Sequence, residues 1–145
     1  MTRGAVGLER RTTDRGSAAV ELVLVTPLLM LILLVVVGLG RLSDARIKVA
    51  DAAHQAARAA SLARTEAQAR ADAQTAARDA LRSAHSACTH PQVAVATGGL
   101  MPGGSVSARV TCTADLADLA VTGMPGRIVV ADTAHSGVDH YRSMP

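Results

Sequence analysis

The chain has 145 residues and a formal charge of +3, with 14 Arg and one Lys set against 12 acidic residues. Phe and Trp are absent and Tyr141 is the one aromatic; aromatic side chains dominate core burial, so a compact catalytic core is disfavoured. The positive charge is spread along the chain, with no basic cluster and no interleaved aromatics, which argues against a nucleic-acid partner.

Four arginines, Arg3, Arg10, Arg11 and Arg15, precede the first strong feature. That feature is Leu22–Gly40, LVLVTPLLMLILLVVVGLG, which carries no charge. As a helix these 19 residues rise roughly 28 Å, close to the hydrocarbon thickness of a bilayer. No soluble domain this small covers such a helix on every side, so a membrane span is expected. Pro27, near its start, either kinks the helix or loosens its first turns. A cleaved secretory signal is the competing reading. Its apolar region is normally ~7–15 residues long and ends in a small-x-small site. Here Gly38 and Gly40 form a poor site, followed at once by Arg41.

Glu21 stands directly before the uncharged run, after Ser17-Ala18-Ala19-Val20, which would extend the same helix. A carboxylate at a membrane boundary is costly unless it reaches water or a cation. It is either an interfacial residue aligned with the helix dipole or one partner of a specific ion pair. A newly exposed α-amino group on Ser17, one helical turn earlier, would supply that cation.

Basic residues flank both ends of the span (Arg41, Arg46 and Lys48 follow it), so the positive-inside rule barely decides orientation. Cys88 and Cys112 are the two cysteines. An even count in a membrane-tethered domain points to a disulfide in an oxidising compartment, with the C-terminal part outside the cytoplasm; two free thiols are the alternative.

Between Ala45 and Ala87, 18 of 43 residues are alanine and none is Gly or Pro, which favours helix. Leu42, Ala45, Val49, Ala52, Ala56, Ala59 and Ala63 make a narrow seam of small residues. It packs either on neighbouring subunits or on the protein's own C-terminal sheet. Asp44–Lys48 and Glu66–Arg70 are spaced for i,i+4 ion pairs, and the seam loses its regularity near Arg64–Glu66.

Pro91 is expected to end the helix. Gln92–Thr97 and Ser105–Thr113 alternate as strands, the second with Val106, Ala108, Val110 and Cys112 on one face, and they are joined through a Gly- and Pro-rich turn. Leu116 and Leu119 fall in a short linker. Arg127–Ala134 reads as a third strand. A Cys88–Cys112 bond would tie the helix end to the second strand.

Site chemistry is thin. His85, Cys88, His90 and Cys112 have only a superficially metal-like spacing, with no CxxC or HxxxH pair. Ser17, Ser43 and Ser61 lack base and acid partners, and no phosphate-binding glycine motif is present. No enzymatic activity, cofactor, metal or small-molecule substrate is expected.

The stretch RGSAAVELVLVTPLLMLILLVVVGLGRLSDARIKVADAAHQAARAA resembles the N-terminal region of TadE-like proteins, minor pseudopilins of tight-adherence pilus systems. The likeness covers about residues 14–64, and a weaker one covers the tail PGRIVVADTAHSGVDHYR. Where family members often carry an aromatic after the glutamate, this chain has Leu22. The resemblance implies that a prepilin-type peptidase cuts after Gly16, making Ser17 the mature N-terminus and Glu21 the assembly residue. It further implies other pilus subunits and assembly-platform proteins as partners, a cytoplasmic N-terminus and an extracytoplasmic C-terminal region, with the cell-surface pilus as a further location.

Together these features predict a pilin-like α+β chain. It comprises a basic leader (1–16), a transmembrane helix (17–40), an extracytoplasmic alanine-rich helix (41–90) continuous with it, and a small antiparallel β region (91–145). The alternative function is a single-pass, membrane-anchored binding or sensor module of the cell envelope.

Overall fold

The computed structural model describes residues 13–86, 88–115 and 126–141, with side chains from residue 19 onward except that of Asp115. In chain order the elements are helix α1 (Thr13–Leu62), helix α2 (Glu66–Ser83) and strands β1 (Cys88–Ala96), β2 (Ser105–Asp115) and β3 (Arg127–Gly137). Contacts divide the chain into Met1–Val37 and Gly38–Pro145. The architecture is α+β, a long N-terminal helix followed by a shorter one and an antiparallel sheet of order β1-β2-β3.

The break between the helices is local chemistry. Thr65 adopts an extended conformation (φ −128°, ψ 154°) and its hydroxyl accepts from the Gln68 amide at 3.2 Å. Gln68 Oε1 in turn accepts from the Arg64 amide at 3.4 Å. Thr65-Glu66-Ala67-Gln68 is therefore a variant of the capping box, with the return bond shifted by one residue. Glu66, in the first turn, pairs with Arg70 at 3.2 Å, and the Asp44–Lys48 pair forms at 2.8 Å.

In the unit from Gly38 onward, helices and sheet share one core. On α1 the buried hydrophobic residues are Ala45, Val49, Ala52, Ala53, Ala56, Ala57 and Ala60, with Ala63 just past its end, and on α2 they are Ala69, Ala73, Ala77, Ala80 and Leu81. They belong to one cluster with Val106, Ala108, Val110, Cys112 and Ala114 of β2 and Val130 and Ala134 of β3. The alanine face thus lies on the protein's own sheet. The seam is wider than a three-four stripe: Ala53, Ala57 and Ala60 are buried, whereas Ala59 is only half-buried. Across this contact Ser61 Oγ donates to the Arg58 carbonyl at 2.9 Å and lies 3.0 Å from Ser136 Oγ.

Pro91 does not end a helix. The helical region stops at Ser83, not residue 90, through a Schellman motif. The Ser86 amide donates to the Leu81 carbonyl and the His85 amide to that of Arg82, both at 3.1 Å, with His85 left-handed at φ 47°. The chain then enters β1, where Pro91 sits at a register shift between Thr89 and Gln92. An edge strand tolerates proline there because no ladder donor is lost. The observed strands begin earlier or end later than expected, β1 at Cys88 and β3 at Gly137. The Leu116 and Leu119 linker lies outside the described residues, as do residues 1–12 of the expected leader.

The β1–β2 turn and the segment after β3 hold each other. The Gly103 amide donates to the Val138 carbonyl at 3.1 Å, and the Val138 amide to that of Gly104 at 2.9 Å. Gly103 has φ +75°, a left-handed conformation that favours glycine, and a Cβ there would press on the His140 ring.

Cys88 and Cys112 are disulfide-bonded, with Cα atoms 5.5 Å apart. Because Cys88 opens β1, the bond joins adjacent strands, not a helix end and a strand. Of the 21 buried hydrophobic residues among those described, 14 are alanine, each burying little area. A bond closing a 24-residue separation stabilises by roughly 3–4 kcal/mol on the chain-entropy model, a large share for such a core. The Cys88→Ser/Cys112→Ser variant should lose about that much in urea titrations of detergent-solubilised protein, and reductant should have the same effect on the wild type. His85→Gly should gain about 1 kcal/mol, because the left-handed conformation costs a residue with a Cβ roughly that amount; the same titration reads it as a raised midpoint.

Candidate membrane segment and assembly site

The functional features gather on the first part of α1. Every aliphatic side chain larger than alanine from Leu22 to Leu39 is between 38% and 70% exposed. An 18-residue window of this helix reaches a mean hydropathy of 3.1 with 6% of it buried. Isolated surface leucines are ordinary, but a whole apolar helix left uncovered marks an interaction surface. Its length and composition are those of a single-pass membrane anchor.

An α-helix pairs its backbone polar groups internally, as a lipid environment requires, except where a proline interrupts the ladder. Pro27 lies within α1 and has no amide hydrogen for the Val23 carbonyl. One residue earlier, Thr26 Oγ1 donates to the Leu22 carbonyl at 2.6 Å. A hydroxyl is thereby hidden against the backbone, in the i−4 manner typical of helix-borne threonine.

Glu21 is exposed and makes no hydrogen bond or ion pair with any described residue. Gly16 and Ser17 belong to α1 by backbone, and their surroundings lie outside the described side chains. Ser17 precedes Glu21 by four residues of continuous helix, a rise of about 6 Å. Helical side chains lean toward the N-terminus, so a glutamate covers the turn before its own Cα. At this position that turn contains Ser17, on the side away from the uncharged run.

The disulfide consumes both sulfurs of the His85, Cys88, His90 and Cys112 set. Among the described residues no group of three His, Cys, Asp or Glu side chains converges on a common point. The left-handed role of His85 carried no signal in the sequence, since that position is usually glycine.

Residues 16–58 match the sequence model of the family described as TadE-like protein. No curated protein and no solved structure gives a match. The matched stretch opens at Gly16, takes in Ser17, Glu21 and the whole uncharged run, and closes within the buried alanine seam at Arg58. Through this stretch, the chain is similar to TadE-like proteins.

Proposed function

We propose that the protein is a minor pseudopilin, a structural and non-enzymatic assembly component of a tight-adherence-type pilus and secretion system. The observation that carries this is the uncovered apolar helix of the family-matched stretch, with Glu21 at its entrance. A prepilin-type peptidase removes residues 1–16 by cutting between Gly16 and Ser17. The apolar helix stays behind as the anchor, with the N-terminus cytoplasmic and residues beyond Gly40 extracytoplasmic. The Cys88–Cys112 disulfide supports that sidedness, because such bonds persist in oxidising compartments.

Cleavage creates an ammonium on Ser17, one turn before Glu21 and on the side to which that carboxylate leans. The ammonium of the same chain or of a neighbouring subunit then pairs with Glu21 as helices gather. Once such a pair is desolvated, removing one partner costs about 3–5 kcal/mol, enough to fix the register of one subunit against the next. Other pilus subunits and the assembly platform are the partners in this step.

The anchor is tested by sodium carbonate extraction of membranes. Wild-type protein should stay in the pellet, and Leu31→Arg/Val35→Arg should be released, since each arginine near mid-span costs roughly 2.5–3.5 kcal/mol. Processing is tested by intact-mass measurement of protein from the native host. Loss of Met1–Gly16 is expected; an intact N-terminus would indicate a simple anchor and a cut near Gly40 a secreted protein. Glu21→Ala should leave membrane insertion intact and abolish piliation, and normal pili in that strain would remove the pairing from the mechanism.

A further inference from the structure

Past the uncharged run, α1 carries Arg41, Arg46 and Lys48 within eight residues. Their surroundings differ. Lys48 Nζ lies 2.8 Å from Asp44 Oδ2 and its side chain is only 25% exposed, so its charge is compensated inside the helix. Arg46 is exposed and has no acidic partner among the described residues. It stands seven residues, two turns, after Leu39, and therefore on the same line of the helix. Ile47 is its neighbour. Leu39 is 61% exposed and Ile47 68% exposed; Ile47 lies opposite the buried Ala45, Val49 and Ala52, and the line of Leu39 and Arg46 is open here but reaches the buried Ala53 two turns on.

Height decides what this face meets. Arg46 lies six residues beyond Gly40, a rise of about 9 Å. The polar layer outside the hydrocarbon is roughly 5–8 Å deep on each side. A helical side chain leans toward the N-terminus, which here means back toward the bilayer. An arginine stem is long enough to span the remaining gap and bring its guanidinium to the headgroup layer. A guanidinium between two exposed aliphatic side chains is the composition of a lipid-contacting interface, and it matches phosphate oxygens in charge and geometry.

We propose that the exposed face of α1 formed by Leu39, Arg46 and Ile47 is a docking surface for anionic phospholipid headgroups, with Arg46 holding the phosphate. The proposal rests on the membrane reading of the preceding subsection. It does not depend on orientation, on leader cleavage or on pilus assembly. Its consequence is a fixed height and rotation for the helix before any partner subunit is engaged.

The test uses the full chain reconstituted in phosphatidylcholine vesicles containing a minor share of phosphatidylglycerol. Electron paramagnetic resonance of spin-labelled versions of each lipid gives their relative association with the protein. A basic residue at the surface contributes about 1 kcal/mol toward anionic lipid, so the wild type should prefer phosphatidylglycerol about fivefold at low salt. Arg46→Gln should lower that preference severalfold, leaving what Arg41 contributes, and Lys48→Gln should leave it unchanged. An undiminished preference in Arg46→Gln overturns the proposal, and so does an equal loss in Lys48→Gln, which would mean diffuse attraction to net charge. Carbonate extraction of the same vesicles keeps the two levels apart. Wild-type protein that fails to incorporate overturns the membrane reading, whereas incorporated protein without lipid preference overturns the headgroup site alone.

Discussion

An uncharged helix that its own chain leaves bare constrains everything else in this protein. Leu22–Gly40 carries no charge, its one hydroxyl is turned onto the helix backbone, and the described structure turns none of its large side chains into a core. Lipid, or the apolar flank of another helix, is the medium in which such a surface is stable, because each CH₂ moved into water costs about 0.8 kcal/mol. The charged residues then take their meaning from distance to the ends of that run. Glu21 borders its start, and Arg41 and Arg46 follow its end. Groups that would be ordinary solvated charges on a soluble helix become boundary markers, and the cost of misplacing one is set by the bilayer, not by contacts with the rest of the chain.

The domain beyond Gly38 solves a different problem, that of building a core almost without large side chains. Its largest fully buried residues are Val49, Val106, Val110 and Cys112. Alanine on both helices lets backbone approach sheet closely, but the dispersion and burial gained per residue are small. Covalent and polar fasteners therefore matter out of proportion to their number. The disulfide joins β1 to β2, the Ser61–Ser136 hydroxyl pair links α1 to β3, and the Gly103–Val138 bonds close the β1–β2 turn against the segment after β3.

Much of this was legible in the sequence, and the failures are instructive. The uncharged run, the Asp44–Lys48 and Glu66–Arg70 pairs, the three strands and the inward face of β2 follow from spacing alone. The helix break also had a signal, since Thr65 followed three residues later by Gln68 is a capping pattern. Pro91 misled because proline is a strong helix terminator, yet a left-handed His85 had already closed α2 eight residues after Ala77. No composition rule flags a histidine for a position that glycine normally takes. The alanine seam was drawn too narrow, with Ala59 in place of Ala60, because a flat sheet covers a wider arc of helix than a single neighbouring helix does. Within β3, alternation turns Val129 outward at 68% exposure.

The candidate site was legible in its parts but not in its operation. Sequence alone brings Gly16, Ser17 and Glu21 together, and continuous α1 backbone from Thr13 adds that Ser17 and Glu21 share one helical line. Direction gives this line its significance. A helix that enters the membrane at its N-terminal end leans its acidic residue out of the hydrocarbon and over the preceding turn. The same lean at the far end carries Arg46 back toward the bilayer. On the proposed membrane reading, one geometric property of the right-handed helix draws a carboxylate away from the membrane at one boundary and a guanidinium toward it at the other. Glutamate and arginine exchanged between these two places would keep the formal charge and have the wrong reach. The identity of the flanking residues, and not only their net charge, therefore sets where this helix comes to rest.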